Sequence, residues 1–255
     1  MEPILTVSHL QKVYGGRGNR TKALDDLSFS VLPGEFVGIM GASGSGKTTL
    51  LNCVSTIDVP SAGTITVDET NLTALKGKAL SRFRRERLGF IFQDCNLLDT
   101  LTGFENIALA LTILGTPAGE IEGRVRAAAS LLGLEPILDK YPYQMSGGEQ
   151  QRVAAARAII TQPALVLADE PTGALDSKSA RMLLNELDGL NRGQGTTVLM
   201  VTHDAFTASW CRRILFIKDG LLYRELQRGE RDRRAFFHEI LSVVSALGGD
   251  GADVL

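Results

Sequence analysis

The sequence predicts an α/β fold: a mixed sheet with an antiparallel β portion at its N-terminal side, interrupted by an inserted α-helical subdomain. Three observations carry that prediction. Short alternating or wholly apolar runs recur at residues 5–10, 23–31, 36–40 and 63–67, which is strand patterning. Apolar runs return at 164–168, 196–201 and 214–217. Between the two sets, residues 96–158 are dominated by helix-period stretches such as 120–132, with few β-branched alternations.

The elements follow in order. Residues 5–10 and 23–31 alternate as half-buried strands, separated by a Gly- and Arg-containing loop over 15–22. The continuous apolar run 36–40 reads as a strand buried on both faces. A helix follows over 48–56, then strands over 63–67 and 88–92. Residues 76–87 carry six basic residues against one acid, Glu86, and read as a solvated helix face rather than a phosphate or membrane contact. Residues 179–190 supply a crossover helix between the strands at 164–168 and 196–201. After Asp232, a plausible N-cap, Phe236, Phe237, Ile240, Leu241 and Val244 recur at helical spacing, as expected of a helix packed on the parent core. The chain reads as one domain, 1–255, with an α/β core over 1–93 and 159–227, a helical subdomain over 94–158 and a C-terminal helical tail over 228–255.

Composition narrows the function. The 255 residues are 44% hydrophobic and 22% charged, as in ordinary globular proteins. No apolar run approaches the ~18–20 residues of a membrane span, so a membrane role is expected to be peripheral. Nothing at the N-terminus resembles a secretory leader. Cys53, Cys95 and Cys211 are odd in number and widely spaced, which favours buried reduced thiols and a cytoplasmic setting. A formal net charge of −2 gives no sign of nucleic-acid binding.

Chemistry is concentrated at strand ends. Residues 41–48, GASGSGKT, directly follow the apolar run at 36–40 and fit G-x-x-x-x-G-K-[ST] in a strand-to-helix context. Small residues let successive backbone N–H groups converge on a polyphosphate, and the following helix adds its positive dipole end. Gly41, Ser43, Gly44, Ser45, Gly46, Lys47, Thr48 and Thr49 are therefore candidate ATP-binding residues, Lys47 reaching the β- and γ-phosphates and Thr48 ligating Mg²⁺. The strand at 164–168 ends in Asp169-Glu170, which places two carboxylates where ligands collect in α/β sheets. Asp169 is expected to hold Mg²⁺ and Glu170 to polarise the attacking water. His203, after the strand at 196–201, is a candidate hydrogen-bond donor to the γ-phosphate. Gln93 can offer its amide oxygen to Mg²⁺ or to the water.

With those residues in place the chain resembles the ATP-binding subunit of an ABC transporter over nearly its whole length. The decisive string is MSGGEQQR at 145–152, similar to the family's L-S-G-G-Q signature, with Met145 for Leu and Glu149 for Gln. The resemblance implies a P-loop (RecA-like) nucleotide-binding core. It also implies that Ser146, Gly147, Gly148 and Glu149 contact the ATP of the opposite protomer in a homodimer. It further implies that Tyr14 stacks on adenine, that Gln93 lies in the loop linking nucleotide to transport subunit, that Asp176 lies in the segment crossing the dimer interface, and that His203 is the switch histidine. The implied protein is an ATPase with ATP and Mg²⁺ as cofactors, peripheral on the inner face of the cell membrane and partnered with a transmembrane permease. Residues 52–58, 88–102 and 168–178 are most similar to the branch serving macrolide export, lipoprotein release and peptide-antibiotic resistance, and 228–249 to bacitracin-type subunits. The alternatives are a lipoprotein-release or macrolide-export subunit, or a soluble ABC ATPase without a permease.

Overall fold

The computed structural model describes residues 2–16 and 19–248. Residues 17 and 18 of the expected loop and the end of the expected tail, from 249, lie outside the described residues. Along the chain run β1 (Leu5–Tyr14), β2 (Thr21–Val31), β3 (Phe36–Met40), α1 (Lys47–Val54), β4 (Ala62–Val67), β5 (Thr70–Asn71), α2 (Gly77–Arg87), β6 (Leu88–Ile91), α3 (Gly103–Leu114), α4 (Ala118–Leu131), α5 (Gly147–Ile159), β7 (Leu165–Asp169), α6 (Ser177–Gln194), β8 (Val198–Val201), α7 (Ala205–Ala208), β9 (Arg213–Lys218), β10 (Leu221–Gln227) and α8 (Arg233–Gly248). They group into two compact units, Met1–Leu75 with Leu199–Leu255, and Lys76–Val198.

The first unit holds an antiparallel sheet in the order β2-β1-β4-β5. Leu5 faces both Val31 and Val67, and Val7 faces Phe29 and Ile65. Alternation puts Leu5, Val7, Leu27, Val31, Ile65 and Val67 inside, nearly all fully buried. A second run of strands is mixed, in the order β10-β9-β3-β8. Within it β3 is parallel to β9, Val37 opposite Arg213 and Met40 opposite Phe216, while β10 returns antiparallel. All five residues of β3 are buried, which is why that run lacks alternation. Sequence patterning missed β10, although Asp219-Gly220, with φ of +51° and +77°, is a hairpin turn signal.

The expected stripe of the C-terminal helix needs correction. Asp232 caps α8 by accepting from the Ala235 N–H at 2.6 Å. The buried residues are Phe236, Ile240 and Val243, whereas Leu241 and Val244 are 38% and 37% exposed. Spacing of i, i+4, i+7 describes one helical face, and 241 and 244 fall beside it.

The second unit pairs β6 and β7 in parallel, Leu88 opposite Leu165 and Ile91 opposite Ala168. Helices α3, α4 and α5 pack on one another. Thr102 and Glu105 close a reciprocal cap at the start of α3, and Asn106, fully buried, fixes the preceding loop through the carbonyls of Leu98, Leu101 and Thr102. Only Phe83 of α2 is buried, so its basic residues lie on a solvent-facing helix. The three cysteines are buried thiols outside any disulfide, and burial pushes those of Cys53 and Cys95 up to about 11.

Candidate nucleotide-binding site

In the first unit the loop after β3 turns into α1 through two glycines that no other residue replaces without strain. Gly44 and Gly46 have φ of +78° and +106°. A Cβ on Gly46 would stand 2.4 Å from the Ala23 carbonyl oxygen. Gly46 is also the N-cap of α1, and no side chain caps that helix start. Lys47 is buried and donates from Nζ to the carbonyls of Gly41 and Ala42 at 2.9 and 2.8 Å. Beside it the Ser45 hydroxyl is buried without a hydrogen-bond partner. A buried hydroxyl of this kind calls for a ligand, and a phosphate oxygen at an uncapped helix start meets that demand. Thr48 is exposed on the first turn, and Thr49 is half-buried.

At the end of β1 the Tyr14 phenol donates to Asp58 Oδ2 at 2.7 Å. In the same unit His203 follows the buried Thr202, whose N–H donates to the Ile39 carbonyl at 3.1 Å. Asp204, the next residue, caps α7 through the Phe206 and Thr207 N–H groups. His203 is thus presented, exposed, between two anchored neighbours.

In the second unit β7 carries Asp169 at its last position, half-buried. Glu170 follows in the left-handed region at φ +44°, an uncommon conformation for a non-glycine residue and one concentrated at functional sites. The Gly173 N–H closes that turn onto the Glu170 carbonyl at 2.9 Å. A Cβ on Gly173 would meet Gln93 Cδ and Oε1 at 3.1 and 3.2 Å, so the Gln93 side chain lies against the Glu170 turn. The structure therefore brings together two residues that are 77 positions apart in sequence, Gln93 and Glu170.

What holds Gln93 there escaped the sequence reading. Gln151 of α5 is fully buried, donates to the Phe92 carbonyl at 2.8 Å and accepts from the Cys95 thiol at 2.5 Å. Arg157, also on α5, donates to the carbonyls of Cys95 and Asn96 at 2.8 and 2.7 Å. These carbonyls belong to residues with φ of +57° and +48°, a turn that needs outside support. The available signal was a glutamine on a helix face shared with Gly148, Ala154, Ala155 and Ala158.

The start of α5 is the signature string. Ser146 is the N-cap, and its Oγ accepts from the Glu149 N–H at 3.3 Å. Glu149 reaches back, accepting from the Ser146 N–H at 2.7 Å and from the Ser146 hydroxyl at 2.9 Å. The backbone N–H of Ser146 is the chief reason that the Glu149 carboxyl lies below its ordinary range. Gly148 is packed so closely that a Cβ would stand 2.7 Å from Ser179 Oγ. Leu175 Cδ2 would lie 3.8 Å from a Cβ on Gly147. Asp176, the expected interface residue, caps α6: it accepts from the Lys178 and Ser179 N–H groups at 2.9 and 3.1 Å and from the Ser179 hydroxyl at 2.6 Å. The Ser179 hydroxyl is the main cause of its lowered pKa.

A family model described as ABC transporter matches residues 24–173. The ABC transporter ATP-binding protein YxdL of Bacillus subtilis (strain 168) is 50% identical over 254 residues, covering 100% of this chain and 98% of its own. The bacitracin export ATP-binding protein BceA of Halalkalibacterium halodurans is 49% identical over 246 residues, covering 96% and 97%. Among solved structures, the dimeric post-hydrolysis state of the ATP-binding cassette MJ0796 bound to ADP and Pi superposes with a TM-score of 0.79 at 37% identity, covering 88% of this chain and 98% of that one. A family match of that extent, a relative half identical along its full length and a shared α/β cassette fold agree: this chain belongs to the ABC transporter family, as an ATP-binding subunit with ATPase activity.

Proposed function

We propose that the chain dimerises head to tail around ATP and Mg²⁺ and drives a transmembrane permease that handles peptide antibiotics of the bacitracin kind. The observation that carries the nucleotide part is the α1 start, with its orphan Ser45 hydroxyl, buried Lys47 and absent side-chain cap. Lys47 leaves the Gly41 and Ala42 carbonyls for the β- and γ-phosphates, and the Ser43, Gly44, Ser45, Gly46 and Thr49 segment wraps them. Tyr14 stacks on adenine. Thr48, Gln93 and Asp169 are the hard oxygen donors that Mg²⁺ takes, and they would hold it; bound, it supplies positive charge to the phosphates. Glu170 accepts the proton of the attacking water, and His203 donates to the γ-phosphate.

Ser146 with the Gly147 and Gly148 amides grips the γ-phosphate of ATP seated on the partner, and Asp176 lies at the same interface. ATP then binds the closed dimer more tightly than the open one, and loss of the γ-phosphate reverses the preference. Among the described residues no helix is long and apolar enough to cross a membrane; in this reading the transmembrane partner carries the transport and the chain sits peripherally at the membrane's inner face. The peptide-antibiotic reading is supported by the likeness to BceA, whose name specifies bacitracin export.

Glu170→Gln tests the mechanism. The variant is expected to bind ATP, to elute as a dimer on size exclusion, and to hydrolyse ATP about 10²–10³-fold more slowly. Fast turnover by this variant removes Glu170 as the base, and a monomer at saturating ATP removes the shared site. Co-purification of a permease in mild detergent, with bacitracin tolerance that depends on Glu170, tests the cargo.

A further inference from the structure

Tyr14 is held at both its oxygen and its ring. Lys12 and Tyr14, two positions apart on β1, share one face of the strand. The Tyr14 phenol donates to Asp58 Oδ2 at 2.7 Å. Lys12 Nζ lies 4.8 Å from the ring centroid, within cation–π range. That ammonium is itself fixed, donating to Asp58 Oδ1 at 2.5 Å and to the Val59 carbonyl at 2.7 Å. Asp58 is anchored in turn: its N–H donates to the Asn52 carbonyl at 3.0 Å, at the end of α1, and its Oδ1 accepts from the Val59 N–H at 2.7 Å. The Lys12 and Asp58 side chains are only 11% and 27% exposed, whereas Tyr14 as a whole is 41% exposed. An exposed aromatic ring with a buried ammonium and a half-buried carboxylate interlocked behind it has the build of a platform.

We propose that Asp58 and Lys12 are positioning residues for the nucleotide base: they fix the plane of the Tyr14 ring, and adenine stacks on the ring face opposite the Lys12 ammonium. The inference rests on the reading of Tyr14 as the base's stacking partner. Three consequences follow from the geometry. First, a ring fixed before the base arrives loses little rotamer entropy on binding. Second, the phenol hydrogen is committed to Asp58 Oδ2, so the ring offers the base its face and no donor for the base edge. This platform therefore recognises a flat base and does not distinguish adenine from guanine. Third, Lys12 neutralises Asp58, which keeps an uncompensated carboxylate away from a polyphosphate site. Burial alone would raise the Asp58 pKa, but hydrogen bonds from Lys12, Tyr14 and the Val59 N–H outweigh it and hold the carboxyl low, so the carboxylate stays ionised at neutral pH.

The test compares ATP with inorganic tripolyphosphate, which shares the phosphates and lacks the base. Calorimetric titration of the full chain and steady-state hydrolysis are measured for Asp58→Ala, Tyr14→Ala, the double variant and Asp58→Asn. Asp58→Ala and Tyr14→Ala are each expected to weaken ATP about tenfold, to leave tripolyphosphate within about twofold, and to raise KM with kcat unchanged. The double variant should bind ATP no worse than Tyr14→Ala, because both remove one platform. Asp58→Asn, which still accepts from the phenol, should recover most of the affinity.

If Tyr14→Ala weakens ATP while Asp58→Ala does not, the positioning role is lost and the stacking role survives. If Tyr14→Ala binds ATP as the parent chain does, the stacking role falls and the inference with it. Equal loss of ATP and tripolyphosphate in Asp58→Ala makes Asp58 a purely structural residue. Should Asp58→Ala not fold, Lys12→Met tests the same lock, with about threefold weaker ATP and unchanged tripolyphosphate expected; parental affinity for ATP in that variant overturns the proposal.

Discussion

The molecule has two helix starts proposed to meet phosphate, and they are finished in opposite ways. At α1 the N-cap is a glycine, no side chain closes the first turn, and the Ser45 hydroxyl is buried without a partner. At α5 the N-cap is Ser146, and Glu149 closes the turn from the other side, so each satisfies the other's N–H. Orphan N–H groups at a helix start are satisfied by side chains, water or ligand. The α1 start therefore has no side-chain cap to displace, whereas at α5 the Ser146 and Glu149 pair already satisfies two of the N–H groups and leaves those of Gly147 and Gly148 to a ligand. In the proposed mechanism the uncapped start binds nucleotide first, and the partly capped one joins only when the gain exceeds what it gives up.

The largest effect that would break this contrast is at Lys47. Removing a buried charge that is to meet triphosphate should weaken ATP by about a hundredfold or more, read by calorimetry in Lys47→Ala. Retained affinity would mean that the first helix start is not the primary site. Next in size is a pair of glycines. Gly46→Ala puts a Cβ 2.4 Å from the Ala23 carbonyl oxygen at φ +106° and should destabilise the fold by about 2–3 kcal/mol, visible in a denaturant midpoint. Gly147→Ala meets nothing closer than Leu175 Cδ2 at 3.8 Å and should change stability by less than about 0.5 kcal/mol. Equal losses would show that the two loops are under the same steric constraint.

Legibility differed between the two regions for the same physical reason. The phosphate loop was readable because its function demands rare residues at fixed spacing: Gly44 and Gly46 sit at positive φ, and Lys47 follows at once. The paired acids at Asp169-Glu170 were readable because carboxylates seldom end a buried apolar strand. The supports were not. Gln151 and Arg157 act on the backbone of residues 92–96, some 56 to 62 positions away, through carbonyl groups that every residue possesses. Lys12 and Asp58 are ordinary surface types until the 57–61 turn returns to β1, where the Ser61 N–H donates to the Gln11 carbonyl at 2.8 Å. In α8 the 3.6-residue period allowed two neighbouring stripes, and packing chose 236, 240 and 243.

A third effect concerns how α5 is held from behind. Arg152 Nε pairs with Glu186 Oε1 at 3.7 Å, too far for a hydrogen bond, and Arg152 Nε and Glu186 Oε2 are buried without hydrogen-bond partners. Burial raises Glu186 from 4.5 to about 7 and outweighs the Arg152 charge, which pulls the other way. The folded chain therefore binds a proton that the unfolded chain releases between those two values. Stability is full below the unfolded pKa and declines as pH rises through the folded one, by about 2–3 kcal/mol between pH 5 and pH 8. Glu186→Gln should flatten this decline in denaturant titrations at the two pH values. An unchanged slope would assign the pH dependence elsewhere and leave the α5–α6 tie unstrained.

The smallest effect bears most directly on the contrast between the two starts. The Ser146 hydroxyl donates to Glu149, and it must turn away from that carboxylate to donate to a phosphate oxygen. The carboxylate's charge also opposes the incoming γ-phosphate, and Lys140 at 3.9 Å offsets little of it, since exposed pairs contribute almost nothing. Glutamine fills the same capping position with a neutral acceptor. Glu149→Gln should therefore lower stability by less than about 0.5 kcal/mol, the dipole term lost at the first turn. In a Glu170→Gln background it should lower the ATP concentration for half-maximal dimerisation by about threefold, because the serine is released from a weaker partner and a repulsive charge is gone. Sedimentation velocity across an ATP series reads that midpoint. If it does not move, the Ser146 to Glu149 bond does not compete with phosphate, and the capping pair is no barrier to closure.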